Sequence, residues 1–162
     1  MMIRPLGQED WKVWKELRLE ALYTVPEAFG SSFKEESMWS DEKFKEALIR
    51  NAILGVFIDE KLIGSICFSI LDSLKKRHIG VIWGMYVRSD HRGKGVAKSL
   101  LKGVINHARG RVLQVHLGVV TINESAVKLY QKHGFNIYGT ELRSFKIGDR
   151  FYDEYLMVLL SA

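Results

Sequence analysis

The sequence has little cysteine or proline, and it has no long hydrophobic run. Because Cys67 is the only cysteine, an intramolecular disulfide is excluded, which favours a reducing compartment. Cys67 also lies in an apolar run, where a buried structural thiol is expected rather than a nucleophile. No stretch approaches the roughly 20 apolar residues of a membrane span, and residues 1–10 lack the apolar core of a signal peptide. We therefore expect a soluble, cytoplasmic protein that binds no membrane.

The length of 162 residues is typical of one domain, and 47% of the residues are hydrophobic, enough for a substantial core. No linker or repeat divides the sequence, so we predict a single domain over residues 1–162. The net charge of +5 is unevenly distributed: residues 1–81 carry 12 basic and 13 acidic side chains, whereas residues 82–162 carry 12 and 6. This surplus in one half predicts either an anionic partner or a solvated basic face.

Hydrophobic spacing predicts helices in the first third of the chain. Apolar residues recur at three- and four-residue steps from Trp11 to Leu22, with Asp10 as a candidate N-cap. A second helix is predicted after Ser40. The segment 26–38 between them is expected to be a loop or a broken helix, because a proline and a glycine frame it.

The rest of the chain alternates strands with helices. Runs rich in β-branched and aromatic residues predict strands, and a 3.6-residue apolar period predicts helices. The predicted order is three antiparallel strands (53–58, 62–71 and 79–87), a helix (97–108), a strand (112–120), a helix (123–133) and a hairpin turning at Gly148-Asp149. Because a helix separates the third strand from the fourth, those two are expected to be parallel. The sequence thus predicts an α/β (α+β) fold with a mixed sheet.

The stretch from Met85 to Ala97 combines a strand end, a turn with Gly93 and Gly95, and the start of a helix. Such a turn exposes backbone N–H groups, and the positive end of the helix dipole adds to their attraction for phosphate. Glycine is needed because a Cβ would block the approach of the backbone to the anion. The stretch therefore predicts a phosphate or pyrophosphate site.

Spacing separates this site from two common phosphate-binding motifs. A P-loop requires Gly-Lys-Ser/Thr, but Ala97 precedes Lys98, and a dinucleotide fingerprint requires a third glycine where Lys98 stands. The remaining pattern is Arg92-x-x-Gly95-x-Ala97. It resembles the acetyl-CoA pyrophosphate loop of the GCN5-related N-acetyltransferase (GNAT) superfamily, whose pattern is Gln/Arg-x-x-Gly-x-Gly/Ala.

A second motif extends the resemblance over nearly the whole chain. The superfamily segment Asn-x-x-Ala-x-x-Leu-Tyr-x-x-x-Gly-Phe is matched by Asn123, Ala126, Leu129, Tyr130, Gly134 and Phe135. The predicted order of helices and strands is also that of the superfamily. The chain is therefore identified as a member of the GNAT superfamily. This implies a three-layer fold, in which a mixed, mostly antiparallel sheet has splayed central strands and is flanked by helices.

The resemblance implies that acetyl-CoA is a co-substrate, bound between the splayed strands. The residues implied in its binding are Met85, Tyr86, Val87, Arg92, Gly93, Lys94, Gly95, Val96, Ala97, Lys98, Asn123 and Ala126. The backbone of Met85 and Val87 would hold the pantetheine arm as an added strand, and the amides of residues 92–97 would hold the pyrophosphate. A basic stripe that continues along the helix to Lys102 would lie near the phosphates.

Acetyl transfer to an amine requires a neutral nucleophile, a polarised thioester carbonyl and a proton for the departing thiolate. Tyr130 matches the position of the superfamily's general acid, and a phenol with a pKa near 10 stays protonated at neutral pH. A backbone N–H of Met85 or Tyr86 is expected to polarise the carbonyl.

The general base does not follow from either motif. Many relatives carry a Glu about two residues before the Met85 position, where this sequence has Trp83. The candidates elsewhere are Glu36, His78, His116 and Glu154. We name Glu154 as the base, and a water relay is equally compatible with the sequence.

The acceptor amine is expected to bind at the loop between the first two helices, a region that relatives use for substrate recognition. The residues implied are Glu27, Phe29, Ser31 and Trp83. Acidic side chains there would attract a cationic amine. No residue pattern predicts a metal site.

These observations predict an acetyl-CoA-dependent N-acetyltransferase. It would transfer the acetyl group to a primary amine of a small molecule or peptide, by direct attack in a ternary complex. Two alternatives remain, a non-catalytic acyl-CoA-binding or sensing module and a basic nucleic-acid-binding domain. The second is disfavoured because the basic residues cluster around the glycine turn without a recognisable reader motif. The expected partners are acetyl-CoA and an amine, without nucleic acid, in a monomer or homodimer.

Overall fold

A seven-stranded sheet runs through the computed structural model, which describes residues 1–160. In chain order the strands are β1 (Met2–Pro5), β2 (Ala52–Ile58), β3 (Lys61–Ile70), β4 (Ile79–Val87), β5 (Gln114–Val120), β6 (Asn136–Ile147) and β7 (Arg150–Leu160). The helices are α1 (Trp11–Thr24), α2 (Phe33–Glu36), α3 (Asp41–Arg50), α4 (Val96–Ala108) and α5 (Glu124–Lys132). Short 3-10 turns occupy Gln8–Asp10, Pro26–Ala28 and Ser89–His91.

The strands lie side by side in the order β1-β2-β3-β4-β5-β7-β6. Every neighbouring pair is antiparallel except β4 and β5, which α4 connects as a parallel crossover. The predicted mixed, mostly antiparallel sheet is therefore confirmed.

Helices cover both faces of the sheet and give the predicted three layers. The helices α4 and α5 pack on one face, with Leu100 and Val104 in that core. The helices α1 and α3 pack on the other face, with Trp14 and Phe44 in a second core. Each large apolar side chain buried in this way contributes roughly 1.5–3 kcal/mol. Within residues 1–160, no helix combines the length and apolar character needed to cross a membrane.

The N-terminus differs from the prediction. Residues Met2–Pro5 form β1, an edge strand paired antiparallel with β2 that was not predicted. The side chain of Asp10 does not cap α1. Its carboxylate instead accepts hydrogen bonds from the Arg4 guanidinium at 2.9 Å and from the N–H of Gly7 at 2.8 Å, and the Arg4 bond holds the pKa of Asp10 below its usual range. The carboxylate thus ties the end of β1 to the turn before α1.

The strands β4 and β5 separate at the centre of the sheet. Their pairing is limited to three residue pairs, the last of which joins Val81 and His116. Further along β4, Gly84 and Met85 oppose the single residue Ile66 of β3, and Gly84 has a positive φ of 63°. This β-bulge bends the strand and adds to its twist. The splay implied by the family resemblance is therefore present, and it creates the gap in which the candidate site lies.

Candidate active site

A pocket of about 590 Å³ opens where β4 and β5 diverge. Its walls come from the ends of both strands, the loop after β4, the first turns of α4 and α5, and the 3-10 turn at Pro26–Ala28. The predicted cofactor-binding residues that line it are Met85, Tyr86, Val87, Arg92, Gly93, Gly95, Val96, Ala97, Lys98, Asn123 and Ala126. Lys94 does not line the pocket, and its ammonium donates to the carbonyl of Asp90 at 3.2 Å. The fold thus brings two separate sequence motifs to one pocket.

The inner edge of β4 is free of strand pairing along this pocket. Beyond Val81, no described residue of β4 pairs with β5. The backbone groups on that edge therefore face the gap, beside Met85 and Val87. An extended ligand lying in the gap can pair with this edge as an added strand does.

The N-terminus of α4 is open toward the pocket. Gly95 occupies its N-cap with a φ of 81° and offers no side-chain acceptor, whereas Ser40 and Asn123 cap α3 and α5 through their side chains. No acidic residue lies in the first turn of α4, and Lys98 lines the pocket there. The free first-turn N–H groups, the helix dipole and the lysine together favour an anion at this end of the pocket.

Arg92 fastens the loop before α4 to β4. Its Nε donates to the carbonyl of Val87 at 2.9 Å, and its guanidinium lies 5.4 Å from the centroid of the Tyr86 ring. Gly93 has a positive φ of 75°, and a Cβ at Gly93 or at Gly95 would meet nothing within 4 Å. The two glycines are therefore required by the backbone conformation, and the surface above them is open to a ligand.

Two of the residues predicted to bind the acceptor line the same pocket. Glu27 and Phe29 reach it from the 3-10 turn at Pro26–Ala28. Ser31 lies in a neighbouring pocket of about 550 Å³ that residues of β6 also line. Trp83 lines neither of these two pockets, and its indole N–H donates to Ser69 Oγ at 2.7 Å. The structure thus brings Glu27 and Phe29 to the gap between β4 and β5 and leaves Ser31 and Trp83 outside its walls.

Tyr130 lies in the core behind the pocket. Its side chain is 7% exposed and packs edge-on against Phe135, with the ring centroids 5.8 Å apart. Burial raises the pKa of Tyr130 far above its usual value, so the phenol is protonated at neutral pH. On the same helix, Ala126 and Leu129 form the pocket wall, and Tyr130 is not part of it.

Three of the candidate bases are engaged or remote. Glu36 is buried and accepts two hydrogen bonds from Arg18, at 2.9 and 3.0 Å. His116 belongs to the last pair joining β4 to β5, at the closed end of the gap, and burial lowers its pKa. His78 directly precedes β4 at the same closed end. Both histidines are separated from Met85 by several strand residues. Each strand residue adds about 3.3 Å of distance, so neither histidine lies beside Met85.

Glu154 lies on β7, level with the open end of the gap. It is directly opposite Val120 of β5, which lines the pocket together with Met85. The carboxylate extends over β5, since Oε2 lies 2.7 Å from the position that a Cβ at Gly118 would take. Its Oε1 accepts a hydrogen bond from Ser144 Oγ at 2.6 Å, and burial raises the pKa of Glu154. A half-buried carboxylate with a raised pKa thus stands one strand from the pocket wall.

Several residues at the site were not predicted. The pocket is also lined by Val25, Ala28, His91, Val120, Ile122, Ser125 and Leu129. Tyr86 was predicted to act through its backbone, but its hydroxyl also donates to Glu20 of α1 at 2.8 Å, and Glu20 pairs with Arg88. Glu20 is distant in the sequence, so no local spacing indicated it. Leu129 belongs to the second motif, which was the available signal.

Comparison with known proteins relates this site to a family. The sequence model described as the acetyltransferase (GNAT) family matches residues 11–135. The chain is 23% identical, over an alignment of 163 residues, to the L-amino acid N-acetyltransferase AaaT of Escherichia coli (strain K12). That alignment covers 97% of this chain and 96% of the relative.

Solved structures share the fold over its full extent. The acetyltransferase of the GNAT family from Streptococcus pneumoniae has a TM-score of 0.88 and 26% identity, and the match covers 99% of both chains. The structure of yncA from Salmonella typhimurium with its cofactor acetyl-CoA has a TM-score of 0.85 and 21% identity, covering 100% of this chain and 94% of that one. Because the family match extends over residues 11–135 and includes the pocket, the chain belongs to the acetyltransferase (GNAT) family and is an N-acetyltransferase.

Proposed function

We propose that the enzyme transfers the acetyl group of acetyl-CoA to a primary amine of a small molecule or peptide, by direct attack of the amine in a ternary complex. The observation that carries this proposal is the gap between β4 and β5, with the uncapped N-terminus of α4 on one side and Glu154 near the other. We further propose that the enzyme acts in the cytoplasm as a single domain over residues 1–162, in a monomer or homodimer.

The residues of the pocket fit acetyl-CoA. The N–H groups of residues 92–97 would bind the pyrophosphate, and Lys98 would add a positive charge. The inner edge of β4, beside Met85 and Val87, would pair with the pantetheine arm, with Asn123 across the pocket. The presence of acetyl-CoA in the similar structure of yncA supports this assignment. When bound, acetyl-CoA supplies a thioester whose carbonyl carbon is the electrophile.

Residues of the chain would supply the three functions that acyl transfer requires. Glu154 would accept a proton from the acceptor ammonium, because only the neutral amine has a free electron pair. The N–H of Met85 or Tyr86 would stabilise the negative charge that develops on the carbonyl oxygen. Tyr130, which is protonated at neutral pH, would donate a proton to the departing thiolate.

The acceptor is proposed to enter beside the 3-10 turn at Pro26–Ala28. Glu27 supplies negative charge that attracts an ammonium group, and Phe29 supplies an apolar surface beside it. Ser31 and Trp83, outside the pocket walls, are proposed contacts for the distal part of a longer acceptor. The name of the relative AaaT states that it acts on L-amino acids, which supports a small amine as acceptor.

A thiol-release assay across amine classes tests the proposed reaction. Acetyl-CoA is incubated with polyamines, free amino acids, amino sugars and peptides with free N-termini while the free thiol is measured. We expect release that depends on one of these amines. Glu154→Gln and Tyr130→Phe should each lower kcat, by roughly 10²-fold or more for a general acid or base, with nearly unchanged acetyl-CoA affinity. An absence of thiol release with every class of amine would contradict the proposal.

The alternative of acyl-CoA binding without catalysis is tested separately, because Trp83 stands where many relatives carry a Glu. Thermal unfolding and the thiol assay together separate the two. At a hundredfold excess over its Kd, a ligand adds about 2.7 kcal/mol of stability, so acetyl-CoA should raise Tm in both cases. Only an acetyltransferase releases thiol. A shift in Tm with duplex DNA and none with acetyl-CoA would instead favour the nucleic-acid-binding alternative.

A further inference from the structure

The strand β6 departs from regular pairing at one place beside Glu154. Glu141 pairs with Glu154 and Phe145 pairs with Tyr152, so three residues of β6 stand opposite one residue of β7. Arg143 in this bulge has a positive φ of 51°, and its N–H donates to the Asp153 carboxylate at 2.7 Å. The bulge is thus held to β7 by a specific contact.

The bulge places the Ser144 hydroxyl between two carboxyl groups. Ser144 Oγ lies 2.6 Å from Oε1 of Glu154 and also contacts Oε2 of Glu141. A hydroxyl has one hydrogen to donate, and an ionised carboxylate can only accept. Ser144 can therefore donate to one of these carboxyl groups, and it can accept a hydrogen bond only from a carboxyl group that is protonated.

Exposure changes along these three side chains. Glu154 and Ser144 are half-buried, whereas Glu141 is exposed. Gly118 leaves the space into which the Glu154 carboxylate extends beside the pocket strand β5. The three connected side chains therefore extend from Glu154, beside the pocket strand β5, to Glu141, which is exposed to water.

We propose that Ser144 and Glu141 form the exit path for the proton that Glu154 removes from the acceptor amine, an inference that rests on the proposed function. The ammonium N–H bond breaks as a Glu154 O–H bond forms. Glu154 then gives its proton to Ser144 Oγ, while the hydrogen of Ser144 passes to Glu141. Glu141 releases a proton to water, and Glu154 is again ionised for the next turnover. Ser144 and Glu141 act through Glu154 and are positioning residues.

Two of the groups around Glu154 influence its ionisation in opposite directions. On β5 it is directly opposite Val120, and its carboxylate lies beside Gly118; neither residue ionises. The ionisable side chains beside it in the sheet are Glu141, directly opposite on β6, and Tyr152, further along β7 itself. Burial raises the pKa of Glu154 most, the hydrogen bond from Ser144 lowers it, and the charge of Glu141 raises it. Removing Ser144 and removing Glu141 should therefore shift this pKa to opposite sides.

The pH dependence of kcat/KM in the intact enzyme tests the proposal. Activity should fall on the acid side as Glu154 becomes protonated. Glu141→Gln should move that limb to lower pH and Ser144→Ala should move it to higher pH, each by roughly half a pH unit. Both should also lower kcat severalfold, while Ser144→Thr, which keeps the hydroxyl, should restore it. Glu42→Gln, at an exposed residue of α3, is the control and should match the wild type.

The outcomes separate this inference from the proposed function. Shifts of opposite sign together with a severalfold lower kcat in both variants, recovery of kcat in Ser144→Thr, and Tm close to that of the wild type support the proton path. Opposite shifts with a wild-type kcat show only electrostatic contact with Glu154 and overturn the path. Shifts of the same sign, or profiles identical to the wild type in an active enzyme, overturn the path and leave the acetyltransferase reaction intact. An absence of amine-dependent thiol release from the wild type overturns the proposed function and the path together.

Discussion

Gly118 determines how much space the Glu154 carboxylate has. A Cβ at this position would lie 2.7 Å from Oε2, so Gly118→Ala should turn the carboxylate away from β5. Because the displaced atom is the end of a flexible side chain, the free energy of unfolding should change by no more than about 1 kcal/mol. The kcat of acetyl transfer should fall roughly tenfold to a hundredfold if Glu154 is the base. Steady-state kinetics with urea denaturation measure both effects.

The matched control for this prediction is Gly139→Ala. Gly139 lies on β6, on the other side of β7 from Gly118, and its added Cβ would lie 3.8 Å from Leu156, an ordinary contact. The control should keep the wild-type kcat. Equal losses of kcat in the two variants would show that a methyl group on this part of the sheet, rather than Glu154, is responsible.

Arg18 and Glu36 form a buried ion pair whose loss should affect stability. Their side chains are 7% and 2% exposed, and the pair makes two hydrogen bonds. Glu36→Ala would leave the guanidinium buried without its carboxylate, which costs about 3–5 kcal/mol for pairs of this kind. The exposed pair of Lys45 and Glu42 is the comparison, and Glu42→Ala should cost about 1 kcal/mol or less. Urea denaturation curves test this difference, which similar losses in the two variants would contradict.

At the level of elements, the glycine before α4 links backbone conformation to ligand binding. Gly95 and Gly110 flank α4, both have positive φ, and an added Cβ at either would meet nothing within 4 Å. Alanine at either position should therefore cost about 1–2 kcal/mol through backbone strain alone. Only Gly95 lines the pocket, so only Gly95→Ala should weaken acetyl-CoA binding, as measured by calorimetry. Equal affinities in the two variants would remove the N-terminus of α4 from the cofactor site.

The elements that could be predicted from the sequence are those whose own residues show a hydrophobic or β-branched pattern. The apolar period of α4 and the β-branched runs of β2 to β4 are local signals, so their positions were predicted within a few residues. The strand β1 has four residues including Pro5, and its conformation depends on pairing with β2. Such pairing is a tertiary effect that a short run does not reveal.

The same distinction applies to the candidate site. The glycine turn was predicted because Arg92, Gly95 and Ala97 lie within a few residues of one another. The contact of Ser144 with Glu154 depends on the register of β6 against β7 and on a bulge between them. No spacing in the sequence specifies that bulge, so Ser144 was not predicted.

At the level of the whole molecule, the uneven charge predicts a salt-sensitive affinity. The pocket end near α4 combines Arg92, Lys98 and the helix N-terminus, whereas the gap beside β4 offers backbone groups. The Kd for acetyl-CoA should rise severalfold between about 0.05 and 0.5 M salt, because screening lengths fall below 10 Å over that range. S-acetylpantetheine lacks the phosphates, and its Kd should change little. Equal salt dependence of the two ligands would contradict a phosphate site at α4.

The short junction between β4 and β5 has a consequence for how the molecule holds together. Three residue pairs join the two halves of the sheet at this junction, whereas seven join β5 to β7. An extended molecule hydrogen-bonded in the gap would add links across the weakest connection of the sheet. Cooperativity of unfolding between the two halves would then be higher when the gap is occupied than when it is empty, because local opening depends on the number of such links. Each cycle of binding and release would therefore change how strongly the two halves of the sheet are coupled.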